Sequence, residues 1–194
     1  MYVKSVTCLC FIIVISGCTN PFTTRDVEIP PVNRGSSTFD LPTSVDVVFT
    51  NLRFALTEKN PDNYMRCLVD PALVDQEQFS FVPDQNIPVE RFASWTRESE
   101  RNYFTRLANE ETTIAVEFEQ PIIIENLRLA ETEPFSYLIR ITPKTGASEE
   151  YTGVARMKLV RNQNEEWAIF YWEDRRLDPT VEKTWSLLKS EKGT

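Results

Sequence analysis

Residues 135–175, FSYLIRITPKTGASEEYTGVARMKLVRNQNEEWAIFYWEDR, decide the fold class of this chain. Phe135, Tyr137, Ile139 and Ile141 fall on alternate positions, the period of two that turns one face of a strand toward a core. A turn over residues 143–148, containing Gly146, leads into a second extended run from Tyr151 through Val160. Asn162-Gln163-Asn164 makes the next turn, and Trp167 to Trp172 forms the last strand. That strand is apolar on both faces, with Trp167, Ile169 and Tyr171 on one and Ala168, Phe170 and Trp172 on the other. Such a pattern predicts an inner strand covered on both sides.

Upstream, Ile114, Val116 and Phe118 alternate in the same way, and Ile122 to Ile124 predicts a short buried strand. Before Thr112 the period is near 3.6. Thr43 with Asp46 makes an N-cap pair for a helix that places Val45, Val48, Phe49, Leu52 and Leu56 on one face. Asn60-Pro61 stops that helix and starts another, to about Val69, because asparagine caps well and proline is tolerated at the first helical position. Phe79-Ser80-Phe81 is a short strand ended by Pro83. Pro88 opens a third helix to about Ala108. Val89, Phe92, Trp95, Ser99, Tyr103 and Leu107 share its apolar face, while Arg91, Arg97, Glu98, Arg101 and Thr105 lie away from it. Downstream of the meander, Asp178-Pro179 caps a final helix with Val181, Trp185 and Leu188 in one stripe.

The N-terminus reads differently. Lys4 precedes an apolar run from Val6 to Ile15, about ten residues long, where roughly twenty are needed to span a bilayer. The run ends in Ile15-Ser16-Gly17-Cys18, which resembles the lipobox of bacterial lipoproteins. The resemblance implies a signal peptide over residues 1–17, cleavage before Cys18, and a fatty-acyl chain such as palmitate on that cysteine. Residues 18–41, with Pro21, Pro30, Pro31 and Gly35, then read as a flexible tether, and residues 42–194 as the domain. The expected localisation is the cell envelope, outside the cytoplasm. Thr19 after the cysteine, in place of the aspartate that retains some lipoproteins at the inner membrane, favours the outer membrane.

Composition restricts the functions left to the domain. Removing residues 1–17 from the 194 leaves 177, and losing Lys4 takes the net charge from −8 to −9. An acidic chain without a Lys/Arg block argues against nucleic acid as a partner and against electrostatic adhesion to anionic lipid. Cys67 is the only cysteine after Cys18, so an intramolecular disulfide in the domain is excluded, and without any histidine it has no imidazole base. It reads as a buried small hydrophobe. No histidine, one thiol and no Asp-x-Asp-x-Asp-Gly loop predict no metal site. Five glycines in the whole chain, and no nucleotide fingerprint, predict no cofactor.

The order helix, helix, short strand, helix, then long antiparallel strands resembles the nuclear transport factor 2-like fold. The local features that carry the likeness are Asn60-Pro61-Asp62 with Tyr64, Phe79-Ser80-Phe81, Tyr137-Leu138-Ile139, Trp167-Ala168-Ile169 and Trp172-Glu173-Asp174. It covers about residues 42–175. The expected class is therefore α+β, a strongly bent antiparallel sheet wrapped around N-terminal helices. The C-terminal helix is an addition, expected to dock outside the sheet.

That fold hosts isomerases, cyclases and dehydratases as well as binding modules, so it decides no activity. Its dehydratase-like members depend on histidine. An isomerase-like site would need a carboxylate base in an apolar pocket with a tyrosine or a protonated acid nearby; Asp174 beside Trp172 comes nearest, but a strand-end aspartate ordinarily bonds a turn or an arginine such as Arg175, and no catalytic residue is assigned. Tyr64, Trp95, Tyr103 and Tyr171, with Arg140 or Arg156 as a counter-charge for a carboxylate ligand, are the pocket candidates, set against core packing, which is the ordinary reading for most of the aromatics. Three readings follow: a non-catalytic domain binding a small apolar ligand or an envelope protein, an isomerase- or cyclase-type enzyme, and a structural subunit that forms a homodimer.

Overall fold

The computed structural model describes residues 37–74 and 77–193. The expected signal peptide, Cys18 and the tether up to residue 36 lie outside the described residues. Contacts to the domain begin before Leu41. The Asp40 backbone N–H donates to Asn51 Oδ1 (2.9 Å), and Asn51 Nδ2 donates back to the Asp40 carbonyl (2.7 Å). The Arg66 guanidinium lies 3.6 Å from the centre of the Phe39 ring.

Helix α1 (Val45–Thr57) buries Val45, Val48, Phe49, Leu52, Ala55 and Leu56, the face that the spacing predicts. Its cap is Ser44, one residue beyond Thr43. Helix α2 (Pro61–Arg66) is capped by Asn60 with proline at its start. It ends before Val69 because the chain turns to run beside the last strand. The Ile169 N–H donates to the Cys67 carbonyl (2.9 Å), and the Val69 N–H to the Ile169 carbonyl (2.8 Å).

The expected third helix is broken. A 3-10 turn (Val89–Phe92) and helix α3 (Arg97–Asn109) are separated at Ser94-Trp95-Thr96. Thr96 and Ser99 form a reciprocal capping box, which starts a new helix where apolar spacing alone implies continuation. Val89 is consequently exposed, and Arg97 is half-buried with Nη2 donating to the Met65 carbonyl (3.1 Å).

Among the described residues seven strands form one sheet: β1 (Ser80–Val82), β2 (Thr112–Phe118), β3 (Ile123–Glu125), β4 (Leu129–Thr132), β5 (Phe135–Pro143), β6 (Glu149–Arg161) and β7 (Trp167–Arg175). The long β6 pairs with β7 along one edge. Its other edge is divided between β5 (residues 149–155) and β4 (residues 158–160). β2 flanks β5, and every pairing among strands β2 to β7 is antiparallel as expected, while the short β1 lies parallel to β7 and makes the sheet mixed. β7 sits between β6 and β1, the inner position that its apolar faces predict. Among the described residues β3 pairs only with β4, and at this sheet edge Ile124 (61%) and the preceding Ile122 (70%) are exposed, against the expectation of a buried strand.

Helix α4 (Trp185–Lys192) starts six residues later than Asp178-Pro179 suggests, with Thr184 as its cap. Asp178 and Pro179 lie instead in the exposed loop that precedes it. α4 does not dock outside the sheet. It inserts between α3 and the sheet, with Trp185, Leu188 and Lys189 fully buried. Three side chains at spacing i, i+3 and i+4 give so short a helix one continuous face to bury, and that face enters the core.

Candidate functional site

The interior of the domain is built by a change of parity in β7. Between Ile169 and Tyr171 the strand carries one extra residue, Phe170, opposite the Lys158–Leu159 step of β6. Such a bulge shifts which alternate residues face inward. Before it Trp167 and Ile169 are buried; after it Trp172 and Asp174 are, opposite Met157 and Ala155 of β6. The bulge therefore points a carboxylate and an indole into the core and turns Tyr171 to the outer face.

Helix α3 contributes Glu100 and Tyr103, both fully buried. Tyr64 Oη donates to Glu100 Oε2 (2.6 Å), Trp95 Nε1 donates to Oε1 (2.7 Å), and Lys189 Nζ of α4 donates to Oε1 (2.5 Å). The ammonium lies 3.8 Å from the Phe81 ring centre and 4.0 Å from that of Trp172, with Tyr103 and Trp185 each at 5.8 Å. A cation over aromatic faces is attracted by their quadrupoles, most strongly where water is excluded. Burial still pulls the Lys189 pKa below the ordinary lysine value, opposed by Glu100. Burial and then the Glu100 charge push Tyr64 well above the ordinary phenol range.

A second network ties the start of α4 to the sheet. Tyr137 Oη donates to Asp174 Oδ1 (2.6 Å) and accepts from the Trp185 backbone N–H (2.7 Å). Asp174 Oδ2 accepts from both the backbone N–H and the hydroxyl of Ser186. Gly153 makes the tyrosine's placement possible, since a Cβ there would lie 2.5 Å from Tyr137 Oη. Trp185 Nε1 donates to Tyr103 Oη (2.9 Å), which joins the two networks.

Burial, opposed by these three donors, pushes the Asp174 carboxyl up to about 6. In an unfolded chain it titrates near ~3.9. The folded state holds this proton more tightly between those values, so the group's contribution is fully present below about 4 and is lost as pH rises through about 6. The stability of wild type minus that of Asp174→Asn, from urea unfolding, is expected to fall on the order of 2–3 kcal/mol between these limits. A difference independent of pH would contradict the burial assigned to Asp174.

Of the residues read as a pocket from sequence, Tyr64, Trp95, Tyr103 and Asp174 line this interior. Arg140 does not: it points outward between inward Ile139 and Ile141, is half-buried, and pairs with Glu150 at 2.8 Å. Arg156 likewise pairs with Glu131 on the outer face. Tyr171 is half-buried outside, 5.4 Å from Lys158. Sequence reading missed Glu100 and Lys189. Each is a charge on an apolar helical face, at positions 100, 103, 104 and 107 of α3 and 185, 188 and 189 of α4, and that misplacement was the available signal. Cys67 is buried, with burial pushing its thiol up to about 12, which disfavours the thiolate a nucleophile needs. Among the described residues no cluster of three or more acidic, cysteine or histidine side chains could hold a metal ion.

No protein-family model matches the chain, and no curated protein matches it in sequence. Solved structures match the fold. A protein of the nuclear transport factor 2-like family from Streptomyces avermitilis, named as a proposed dehydratase, superposes with a TM-score of 0.56 at 12% identity, over 71% of this chain and 96% of that one. A proposed scytalone dehydratase from Novosphingobium aromaticivorans gives 0.55 at 10% identity, over 72% and 89%. A proposed calcium/calmodulin-dependent protein kinase II association domain from Xanthomonas campestris gives 0.51 at 16% identity, over 75% and 99%. The fold is thus α+β of the nuclear transport factor 2-like kind. At these identities the likeness speaks to fold alone.

Proposed function

We propose that this is a lipid-anchored envelope protein whose domain binds a partner or ligand and does not catalyse a reaction. The observation that carries the binding reading is the occupancy of the interior. Both buried carboxylates there are engaged by the chain's own C-terminal helix, Glu100 by Lys189 and Asp174 by Ser186. A catalytic carboxylate must reach a substrate proton within hydrogen-bond distance, and α4 stands in that place. The exposed apolar residues Ile122, Ile124 and Leu127 (90%) on and beside β3 offer a surface for a protein partner, since such clusters mark interaction sites.

One observation favours the enzyme reading instead: Asp174 is fully buried beside the Tyr137 hydroxyl, and burial pushes its carboxyl up to about 6, the arrangement of a base suited to proton abstraction. It would need α4 to withdraw before substrate could enter.

The anchor rests on Ile15-Ser16-Gly17-Cys18. Wild-type protein made in a bacterial host is expected to incorporate labelled palmitate and to fractionate with membranes. Cys18→Ser should abolish the label and leave uncleaved precursor. Undiminished labelling of Cys18→Ser would remove the anchor. Crosslinking from Leu127 in the intact envelope tests the partner surface, and a crosslink lost on Ile124→Asp is the expected result.

A further inference from the structure

We propose that the interior beneath α4 is a recognition site for a primary ammonium carried on an apolar stem, and that Lys189 is its resident occupant in this structure. The proposal deepens the binding reading given above, and its test depends neither on the lipid anchor nor on any turnover.

Three features distinguish this place from ordinary core. First, the wall is an ammonium cage: Phe81 and Trp172 lie at 3.8 and 4.0 Å from Lys189 Nζ, and Tyr103 stands further out at 5.8 Å. Aromatic faces around a cation are the recurrent device for recognising ammonium groups. Second, the floor is a single carboxylate, Glu100, held in position by Tyr64 and Trp95 independently of Lys189. The anionic acceptor is thus fixed by groups outside α4. Third, Trp172 is fully buried, yet its indole N–H has no acceptor among the described residues, so the present occupant leaves a wall donor unsatisfied. A purely structural core would ordinarily place an apolar side chain here, since a buried ion pair is often no more stabilising than a hydrophobic replacement.

The occupant is also attached in a way that permits exchange. α4 is eight residues long and is reached through a largely exposed loop over residues 177–183. Short helices of this length have little stability alone and depend on the face they bury. The ligand class follows from what α4 presents: a primary amine on an unbranched stem, flanked by an aromatic and an aliphatic group, here Trp185 and Leu188. A free alkylamine and a lysine on another segment share that chemistry.

Two arms separate these sources. In the first, Lys189→Ala in the full chain removes the stem and its amine, and n-propylammonium is titrated against thermal unfolding, with 1-propanol as the uncharged control. The expected result is a lowered Tm that propylammonium restores saturably and propanol does not, with no such shift in wild type. In the second, a protease site is inserted in the exposed 177–183 loop of the otherwise wild-type chain, where insertions are tolerated. The nicked protein is then offered a fluorescent peptide of residues 181–194. The peptide is expected to exchange in, and its Lys189→Met version to bind about tenfold more weakly or worse. Rescue by propylammonium shows that a free amine suffices; entry of the lysine peptide alone shows that the amine must arrive on a segment. Equal rescue by propanol, equal binding of the Lys189→Met peptide, or failure of the lysine peptide to enter would each overturn the proposal. If Lys189→Ala does not fold, the peptide arm decides.

Discussion

Lys189→Met is expected to destabilise the domain by about 3–5 kcal/mol, and combining it with Glu100→Gln is expected to recover most of that loss. Methionine keeps the unbranched stem, so little packing is lost. What changes is that Glu100, fully buried, keeps its hydrogen bonds from Tyr64 and Trp95 but loses its counter-charge. A buried charge without a partner is among the most expensive defects a core can carry. Glutamine keeps a carbonyl oxygen to accept from Trp95 Nε1, and its amide N–H donates to the Tyr64 hydroxyl oxygen, so both neighbours stay partnered without the charge, and the double variant places neutral groups of similar size where the pair stood. Urea unfolding of all four proteins gives the coupling directly. Additive losses, with the double variant worse than either single one, would mean that the two charges do not face each other.

Trp185→Ala is expected to cost about 3–5 kcal/mol, the range for removing a large aromatic from a core. The indole meets Trp172 edge-on at 4.4 Å between ring centres, Tyr137 at 5.4 Å and Phe118 in a stacked arrangement at 6.2 Å. Its loss also strips Tyr103 of the N–H it accepts from. Trp185→Phe should lose less, since it keeps most of the apolar contact and surrenders the hydrogen bond. Leu177→Ala, in the exposed loop leading to α4, should stay within about 0.5 kcal/mol of wild type. A helix docked outside the sheet would instead tolerate Trp185→Ala nearly as well as Leu177→Ala.

The strands after Thr112 were legible because their alternation is regular where burial is one-sided: Ile114 and Val116 of β2, and Phe135, Tyr137, Ile139 and Ile141 of β5, all point inward. Edge and bulge positions were not legible. Ile122 and Ile124 look buried by composition, but burial depends on what pairs with and covers a strand, which no local pattern records. Tyr171 and Trp172 exchange faces because of one inserted residue, and a parity shift is invisible when both faces are aromatic. In the helices, capping chemistry explained α2, whereas the Thr96–Ser99 box went unread and with it the break before α3. The site suffered most from reading apolar stripes only. Tyr64, Trp95 and Tyr103 were found as aromatics, but the charges that organise them are two residues an apolar stripe passes over. Arg140 was drawn in by charge type, although its own neighbours, Ile139 and Ile141, already assigned it to the outer face.

Helix α4 fills the interior and holds Lys189 away from water. Amine labelling of the folded protein with a water-soluble acylating reagent, read lysine by lysine by mass spectrometry, tests it most directly. Lys144 and Lys183, whose side chains are 71% and 47% exposed, should be modified rapidly, while Lys189, at 0%, should stay unmodified until the protein is denatured. Modification of Lys189 in the native protein at the rate of Lys144 would contradict the account.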